Sequence, residues 1–120
     1  MEIAPYYNNE GVATAYIYDN EYIYLYNGKP VGYCYGEYIY SFNGRYLGWM
    51  QNGWFYDRQG RPSLFSKGAS GGPSKPSRAS APSRASRASR PSKSSRESRP
   101  SKPSRSSFWS DLSDENFFNQ

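Results

Sequence analysis

The sequence has no histidine and a single cysteine, Cys34, among its 120 residues. One thiol cannot form an internal disulfide, and the usual ligand sets of a structural metal site are missing. No run of 18 apolar residues occurs, so no membrane span is predicted. The first residues have neither the basic nor the apolar region of a secretion signal, so we expect a cytoplasmic location. The fold must therefore depend on packing, without a cofactor or metal.

Aliphatic residues are also scarce. Residues 1–66 contain only nine Val, Ile and Leu, against 18 aromatic residues that include all 13 tyrosines. Four basic and six acidic residues give this part a net charge of −2, whereas residues 67–107 carry +10 and residues 108–120 carry −3. These changes divide the chain into a domain (1–66), a basic tail (67–107) and an acidic, aromatic C-terminal segment (108–120).

A unit of 16 or 17 residues is repeated four times in the domain. Its markers are a glycine in every unit (Gly11, Gly28, Gly44, Gly60) and a tyrosine four residues before it (Tyr7, Tyr24, Tyr40, Tyr56). The fourth residue after the glycine is small in three units (Ala15, Gly32, Gly48) and is Leu64 in the last. An aromatic residue follows it (Tyr16, Tyr33, Trp49, Phe65). A fixed period predicts four equivalent supersecondary units.

Each unit has the pattern of a β-hairpin. Residues 22–26 and 38–42 alternate between tyrosine or phenylalanine and other residues, which is typical of strands. The dipeptides Asn27-Gly28 and Asn43-Gly44 follow, and they favour two-residue type I′ turns. Returning strands are predicted at 31–35 and 47–51. The Ile23 column and the Tyr24 column should face opposite sides of the sheet, and alternation alone leaves open which side is buried. Because a single hairpin is marginal in water, four equal units predict closure around an axis.

The motifs YIYLYNGKPVGY, YIYSFNGRYLGW and GWFYDRQGRP resemble the bacterial four-fold β-flower domain family. The basic tail and the closing stretch Trp109-Ser110-Asp111-Leu112-Ser113-Asp114-Glu115-Asn116-Phe117-Phe118 add to this resemblance. The resemblance covers nearly the whole chain and implies an all-β fold, with four β-hairpin repeats around a pseudo-four-fold axis. It carries over no catalytic residues.

A second resemblance lies in the stretch from Gly48 to Tyr56, GWMQNGWFY, which is similar to the core of choline-binding and glucan-binding cell-wall repeats. That resemblance implies an aromatic cage for quaternary ammonium groups, held by cation–π attraction. Its period of about 20 residues and its export signal have no counterpart in this chain.

Serine stands at every third position of the tail from Ser74 to Ser107, and a cation follows it at ten of eleven steps. This composition predicts disorder, with a period that matches polyproline II. The tail is then a solvated spacer or a non-specific binder of nucleic acid or an anionic surface. A third alternative is an RS-type phosphorylation region. The candidate anion-binding residues are Lys75, Arg78, Arg84, Arg87, Arg90, Lys93, Arg96, Arg99, Lys102 and Arg105.

The C-terminal segment has the pattern of a short helix capped by Ser110, with Asp111 in its first turn. Such a peptide either docks on an unknown protein partner or folds back on its own domain. The candidate docking residues are Trp109, Leu112, Phe117 and Phe118.

Enzyme chemistry is disfavoured. Histidine is absent, and Glu21, Glu37 and Asp57 occupy expected turn or surface positions. The favoured hypothesis is a non-enzymatic interaction module with a tethered docking peptide. Polyanion binding by the tail and quaternary-ammonium binding by the aromatic repeats are the alternatives.

Overall fold

The computed structural model describes residues 3–120, and its first part is a closed barrel of eight antiparallel strands. The strands are β1 (Ile3–Tyr7), β2 (Ala13–Tyr18), β3 (Tyr22–Leu25), β4 (Pro30–Tyr35), β5 (Tyr38–Tyr40), β6 (Tyr46–Gln51), β7 (Trp54–Asp57) and β8 (Pro62–Phe65). Each pairs with its sequence neighbours, and β1 pairs with β8. The predicted all-β ring of four hairpins is confirmed. Within residues 3–120 no helix has the length and apolarity needed to cross a membrane.

The predicted two-residue turns at the Asn-Gly pairs are wrong. The Leu25 N–H donates to the Lys29 carbonyl at 2.9 Å and the Gly28 N–H to the Leu25 carbonyl at 3.0 Å, so the loop has three residues. Only Gly28 takes a positive φ, of 91°. The Asn27 side chain accepts the Lys29 N–H at 2.9 Å, which stabilises a turn that ends in a glycine bulge. A two-residue turn with positive φ at both positions lies between units instead, at Asn52-Gly53, while Asp19-Asn20, also with positive φ, belong to a three-residue connection between Tyr18 and Tyr22.

A bulge occurs at the same position of every hairpin. In the second unit, Ile23 lies opposite Gly32 but Tyr24 lies opposite Pro30, so that Val31 has no partner. The register shifts at the equivalent step of the other three hairpins. A bulge increases strand bending and twist, which a narrow barrel requires. It also allows Pro30 to begin β4 without a missing ladder hydrogen bond.

The Ile23 column faces the inside of the barrel, which answers the question that alternation left open. Ile23, Ile39 and Phe55 are fully buried in the main apolar cluster, with Tyr6 at the first-unit position. The small residues lie opposite them within each hairpin, as Gly32 does opposite Ile23. A Cβ at Gly32 would stand 2.7 Å from the Tyr40 carbonyl oxygen of the next hairpin. The small column therefore permits a close approach between neighbouring hairpins.

The C-terminal segment completes the barrel core. Phe117 and Phe118 belong to the same cluster as Ile23, and the Phe117 ring lies 5.7 Å from that of Phe55. These residues lie in a 3₁₀ helix, Glu115–Asn119, capped by Asp114, so the predicted cap at Ser110 is wrong. Ser110 instead donates a hydrogen bond to Asp57, a tertiary contact that sequence spacing does not reveal. The segment folds back on its own domain.

We expect Phe117→Ala to lower the free energy of unfolding by about 3–5 kcal/mol, because a fully buried aromatic ring is removed. Urea denaturation followed by tryptophan fluorescence measures this loss. Phe108→Ala is the matched control, since Phe108 is 79% exposed and its truncation should change stability by less than about 0.5 kcal/mol. Equal stability of the two variants would contradict the position of Phe117 in the core.

Candidate functional site

The outer surface of the barrel carries four aromatic pairs, one at each boundary between units. Their ring centroids lie 5.4–6.0 Å apart. Each pair joins one member of the Tyr24 column to one member of the aromatic column from the neighbouring hairpin: Tyr7 with Phe65, Tyr16 with Tyr24, Tyr33 with Tyr40, and Trp49 with Tyr56. The two repeated columns of the sequence are therefore the two halves of one contact between units.

These rings point outward and yet are buried. Tyr24, Tyr40 and Tyr56 are each 1% exposed. Apolar or aromatic residues on the outside of a barrel are normally wet, so another part of the chain must cover them. The basic tail (67–107) does so.

The tail makes a second circuit around the barrel, in the same order as the four hairpins. At each of the four hairpins, one backbone N–H of the tail donates to the carbonyl of the turn glycine, at 2.8–2.9 Å. The donor and acceptor pairs are Ala79 with Gly11, Ala88 with Gly28, Glu97 with Gly44, and Ser106 with Gly60. The donors are nine residues apart, whereas the acceptors are 16 or 17 apart. Nine tail residues thus match one unit of the barrel.

This ratio follows from the size of the molecule, which measures 36 Å across in two directions and 23 Å in the third. Nine residues of polyproline II chain, with a rise of ~3.1 Å each, span about 28 Å. A quarter of the circumference of a disc 36 Å wide is also about 28 Å. Three serine triplets therefore cover one unit.

The turn glycines also leave room for the tail. A Cβ at Gly28 would overlap the carbonyl oxygen of Ser86, and Gly44 stands in the same relation to Ser95. Gly11 and Gly60 meet Ser77 and Ser104 in the same way. Glycine is therefore required at each of these turns for two reasons: the backbone φ is positive, and a second backbone passes close by.

A second backbone hydrogen bond forms only in the two middle units. The Ala85 N–H donates to the Tyr26 carbonyl at 2.9 Å, and the Ser94 N–H to the Phe42 carbonyl at 2.8 Å. The positions nine residues before and after this pair are Pro76 and Pro103, which have no N–H to donate.

Eight tail cations lie over aromatic rings. Five are within 4.4 Å of a ring centroid: Arg87 over Tyr18, Arg90 over Tyr22, Lys93 over Tyr33, Arg96 over Tyr35, and Arg99 over Tyr38. Arg78, Arg84 and Lys102 lie 5.6–5.7 Å from Tyr7, Tyr16 and Trp49, respectively. Each such contact is weak at an exposed site, so the tail is held by the sum of many contacts.

Hydrogen bonds and ion pairs repeat with the same register. An Arg90 N–H donates to the Tyr24 hydroxyl at 3.0 Å, and Arg99 does so to Tyr40 at 3.1 Å. The bond to Tyr24 raises the pKa of Arg90 above its usual value, so the guanidinium stays charged. Lys93 forms an ion pair with Glu21 at 2.7 Å, and Lys102 pairs with Glu37.

The structure gives no support for the disorder predicted for the tail, which has no helix or strand but lies against the barrel. The prediction counted only apolar burial within the tail itself and missed the rings on the barrel that receive its cations. Of the ten predicted anion-binding cations, Lys75 donates to the Ala69 carbonyl and Arg105 is exposed. The third-unit equivalent of Tyr18 and Tyr35 is Gln51, so the ring that Arg105 would contact is missing.

One signal for the bound tail was present in the sequence but missed. Proline recurs at intervals of nine, at Pro82, Pro91 and Pro100, within the three-residue period. Residues 74–109 therefore divide into four segments of nine residues, one for each hairpin: 74–82, 83–91, 92–100 and 101–109.

The structure brings together the four predicted docking residues, but on their own barrel. Trp109 lies 5.3 Å from Trp54 in ring centroids, Leu112 packs against the apolar cluster, and Phe117 and Phe118 are inside it. Of the two alternatives for this segment, folding back is the arrangement observed. Docking on another protein stays a prediction.

Cys34 is a filler of the barrel interior. Burial raises the pKa of its thiol to about 12, so the reactive thiolate is not formed at neutral pH. Its sulfur lies 3.7 Å from that of Met50.

We expect Tyr18→Leu to increase the rate of trypsin cleavage after Arg87 about 2- to 5-fold, the factor that corresponds to losing one exposed cation–π contact. Tyr35→Leu should do the same after Arg96, which lies 3.6 Å from the Tyr35 ring. Mass spectrometry of partial digests measures both sites at once.

Each variant is the control of the other, because the two sites occupy equivalent positions in neighbouring units. Tyr35→Phe keeps the ring and should leave cleavage at both sites unchanged. Fast cleavage after Arg87 and Arg96 in the unsubstituted protein would contradict a barrel-bound tail.

Comparison with known proteins agrees with this architecture. A search of curated proteins and a search of solved structures each find no match to the chain. A family described as "4-fold beta flower protein" matches residues 4–118, which include the barrel, the tail and nearly all of the C-terminal segment. The chain therefore belongs to the 4-fold beta flower protein family.

Proposed function

We propose that this protein is a non-enzymatic interaction module whose outer tyrosine surface binds extended basic chain segments. In the single chain the bound segment is its own tail. The observation that carries this proposal is the fixed register, in which each of four hairpins receives nine tail residues through the same contacts. A surface that repeats the same backbone hydrogen bond and the same close approach at four turn glycines has the form of a peptide-binding surface.

The contacts correspond to a known mode of peptide recognition, in which aromatic grooves hold polyproline-type segments. Each of the two middle units supplies a turn glycine, whose carbonyl accepts a tail N–H and whose missing Cβ leaves room for the tail backbone, together with ring faces for arginine or lysine. An extended segment of this type has no internal hydrogen bonds, so its backbone N–H and C=O groups form hydrogen bonds with the partner or with water. Specificity then comes from cations at every third residue.

The carboxylates support a non-catalytic role. Asp57 is the buried one in residues 3–120, and its oxygens accept the N–H groups of Gln59 and Arg61 and the hydroxyl of Ser110. A carboxylate with those partners holds a turn and anchors the C-terminal segment. Three of its four lone-pair positions are thereby occupied.

The quaternary-ammonium alternative invoked cation–π attraction, and that chemistry is present in a different form. The Trp49 ring, 1% exposed, lies 5.6 Å from the Lys102 ammonium of the tail. The cation that this surface holds is part of the chain.

Polyanion binding remains a second candidate function, favoured by one observation. The guanidinium groups of Arg87, Arg90, Arg96 and Arg99 are stacked on tyrosine faces but remain open to solvent. Stacking uses the face of a guanidinium and leaves its N–H edge available to an anion.

The proposal is tested with a chain that carries an inserted protease site between Gly71 and Gly72, which are exposed. After cleavage, we expect residues 72–120 to remain bound and the two pieces to elute together in size-exclusion chromatography. An excess of fluorescently labelled 72–120 peptide should then exchange into the complex, as measured by fluorescence anisotropy.

A competitor peptide with all tail arginines replaced by lysine is the matched control. It keeps the charge and the backbone but lacks the planar guanidinium, and we expect it to compete at least 10-fold less well, because several stacking contacts are weakened at once. Separate elution of the two pieces, or equal competition by both peptides, would contradict the proposal.

A further inference from the structure

Two arginine pairs on the tail form no ion pair with a carboxylate of residues 3–120. Arg87 and Arg90 lie in the second nine-residue segment, and Arg96 and Arg99 occupy the same positions in the third. Among residues 3–120, the carboxylates that form ion pairs do so with Arg61, Lys93 and Lys102, and none lies within 4 Å of these four arginines. These four guanidinium groups on an ordered surface therefore have no direct ion-pair partner, although the charge of Glu21 acts on Arg90 from a longer distance.

Both members of each pair are held in place by the barrel. The Arg87 guanidinium lies 3.7 Å from the Tyr18 ring, and that of Arg90 lies 3.8 Å from Tyr22. Tyr24 stands between them, since its ring is 5.8 Å from Arg87 and its hydroxyl accepts an N–H of Arg90. The two donors are thus fixed around one tyrosine, and little side-chain entropy remains to be lost when they bind a ligand.

A cavity of about 520 Å³ opens beside this pair. Its lining includes both guanidiniums, Tyr18, Tyr24, and the serines Ser89 and Ser92. Arginine edges and hydroxyl groups that converge on one space are the donors that a phosphate group requires. No carboxylate lines this cavity.

The same cavity recurs one unit further on, with a volume of about 800 Å³ and with Arg96 and Arg99 in its wall. Here Glu97 replaces Ala88, and its carboxylate accepts the Tyr46 N–H at 2.8 Å. The first segment has Ala81 in place of the second arginine, and the fourth has Phe108. Complete pairs exist in the two middle segments, and of their two cavities the one beside Arg87 and Arg90 has no carboxylate in its wall.

We propose that Arg87 and Arg90 form a binding site for phosphate-class oxyanions, with a weaker copy at Arg96 and Arg99. This site places anion binding, which was considered above for the whole tail, at one defined position. It depends on the proposed function, because the arginines are held in place only when the tail is bound to the barrel. A terminal phosphate and the backbone phosphate of a nucleic acid offer the same oxygens to it.

The experiment titrates the full chain with inorganic phosphate at constant ionic strength and follows the arginine Nε–Hε signals by NMR. We expect saturable shifts at Arg87 and Arg90, and weaker binding at Arg96 and Arg99. Arg90→Ala should lower the affinity for phosphate at Arg87 at least 10-fold. Alanine occurs at the equivalent position of the first segment, so this change is compatible with a bound tail.

Arg84→Ala is the matched control, because it removes the same charge from the tail but not from the cavity. It should change the affinity less than 2-fold. Equal losses in the two variants, or shifts that do not saturate, would overturn the site and leave only diffuse attraction to a basic surface. Protection of Arg87 from trypsin in the same sample reports separately whether the tail is bound.

A second titration with a short single-stranded DNA oligonucleotide distinguishes the sources of the phosphate. If Arg90→Ala weakens both ligands, the site accepts phosphates of a polymer; if it weakens inorganic phosphate alone, the site takes the free anion. Both results support the site. Loss of DNA binding by Arg84→Ala to the same degree as by Arg90→Ala would count against it.

Discussion

The stacking of tail cations on outward-facing tyrosine rings is the interaction on which the rest of this structure depends. A barrel of eight short strands has an inner face that six buried Ile and Leu residues and a few aromatic ones fill. Its outer face carries eight further aromatic residues in four pairs. Without a cover, these rings would form a large apolar surface around the whole molecule.

The cover is made from residues that could not form a core of their own. Serine, arginine and proline supply almost no apolar surface, and on their composition alone they belong to disordered chains. They order here because the partner surface provides what they lack: ring faces for guanidinium groups and carbonyl acceptors at the turn glycines. Whether such a segment is ordered depends on the barrel surface it lies against as well as on the tail itself, and the composition of the tail describes only the tail.

This contrast also explains which features could be predicted from the sequence. The four hairpins were predictable, because period-two alternation and turn glycines are local signals that each unit repeats. The inward side of the Ile23 column was not, since the Tyr24 column is buried equally well by a segment more than 60 residues away. The turn type at Asn27-Gly28 was also wrong, because the bulge that follows sets the register and the dipeptide alone does not.

The paired arginines were named from sequence only as members of a uniform charged stripe. What separates Arg87 and Arg90 from Arg84 is their position in a nine-residue register, and the barrel defines that register. A three-residue period makes all cations equivalent, and it hides the difference between those that meet a carboxylate, such as Lys93, and those that do not.

The departures from four-fold symmetry give the tail a beginning and an end. The first segment carries Ala81, and Pro76 where the middle segments have an N–H donor, which suits a chain that is only approaching the surface. The last segment replaces its third cation by Phe108 and continues with Trp109, whose ring meets Trp54 and Phe65. From there the chain leaves the outer surface and places Phe117 inside the barrel.

A segment that is anchored in the core at one end and covalently joined to β8 at the other has a high effective concentration at the tyrosine surface. Its many weak contacts need not be strong to be occupied, and an external basic segment must compete against that advantage. The middle units, where the tail is most regular and carries its two complete arginine pairs, are then the part of the molecule where an outside ligand meets the bound tail itself.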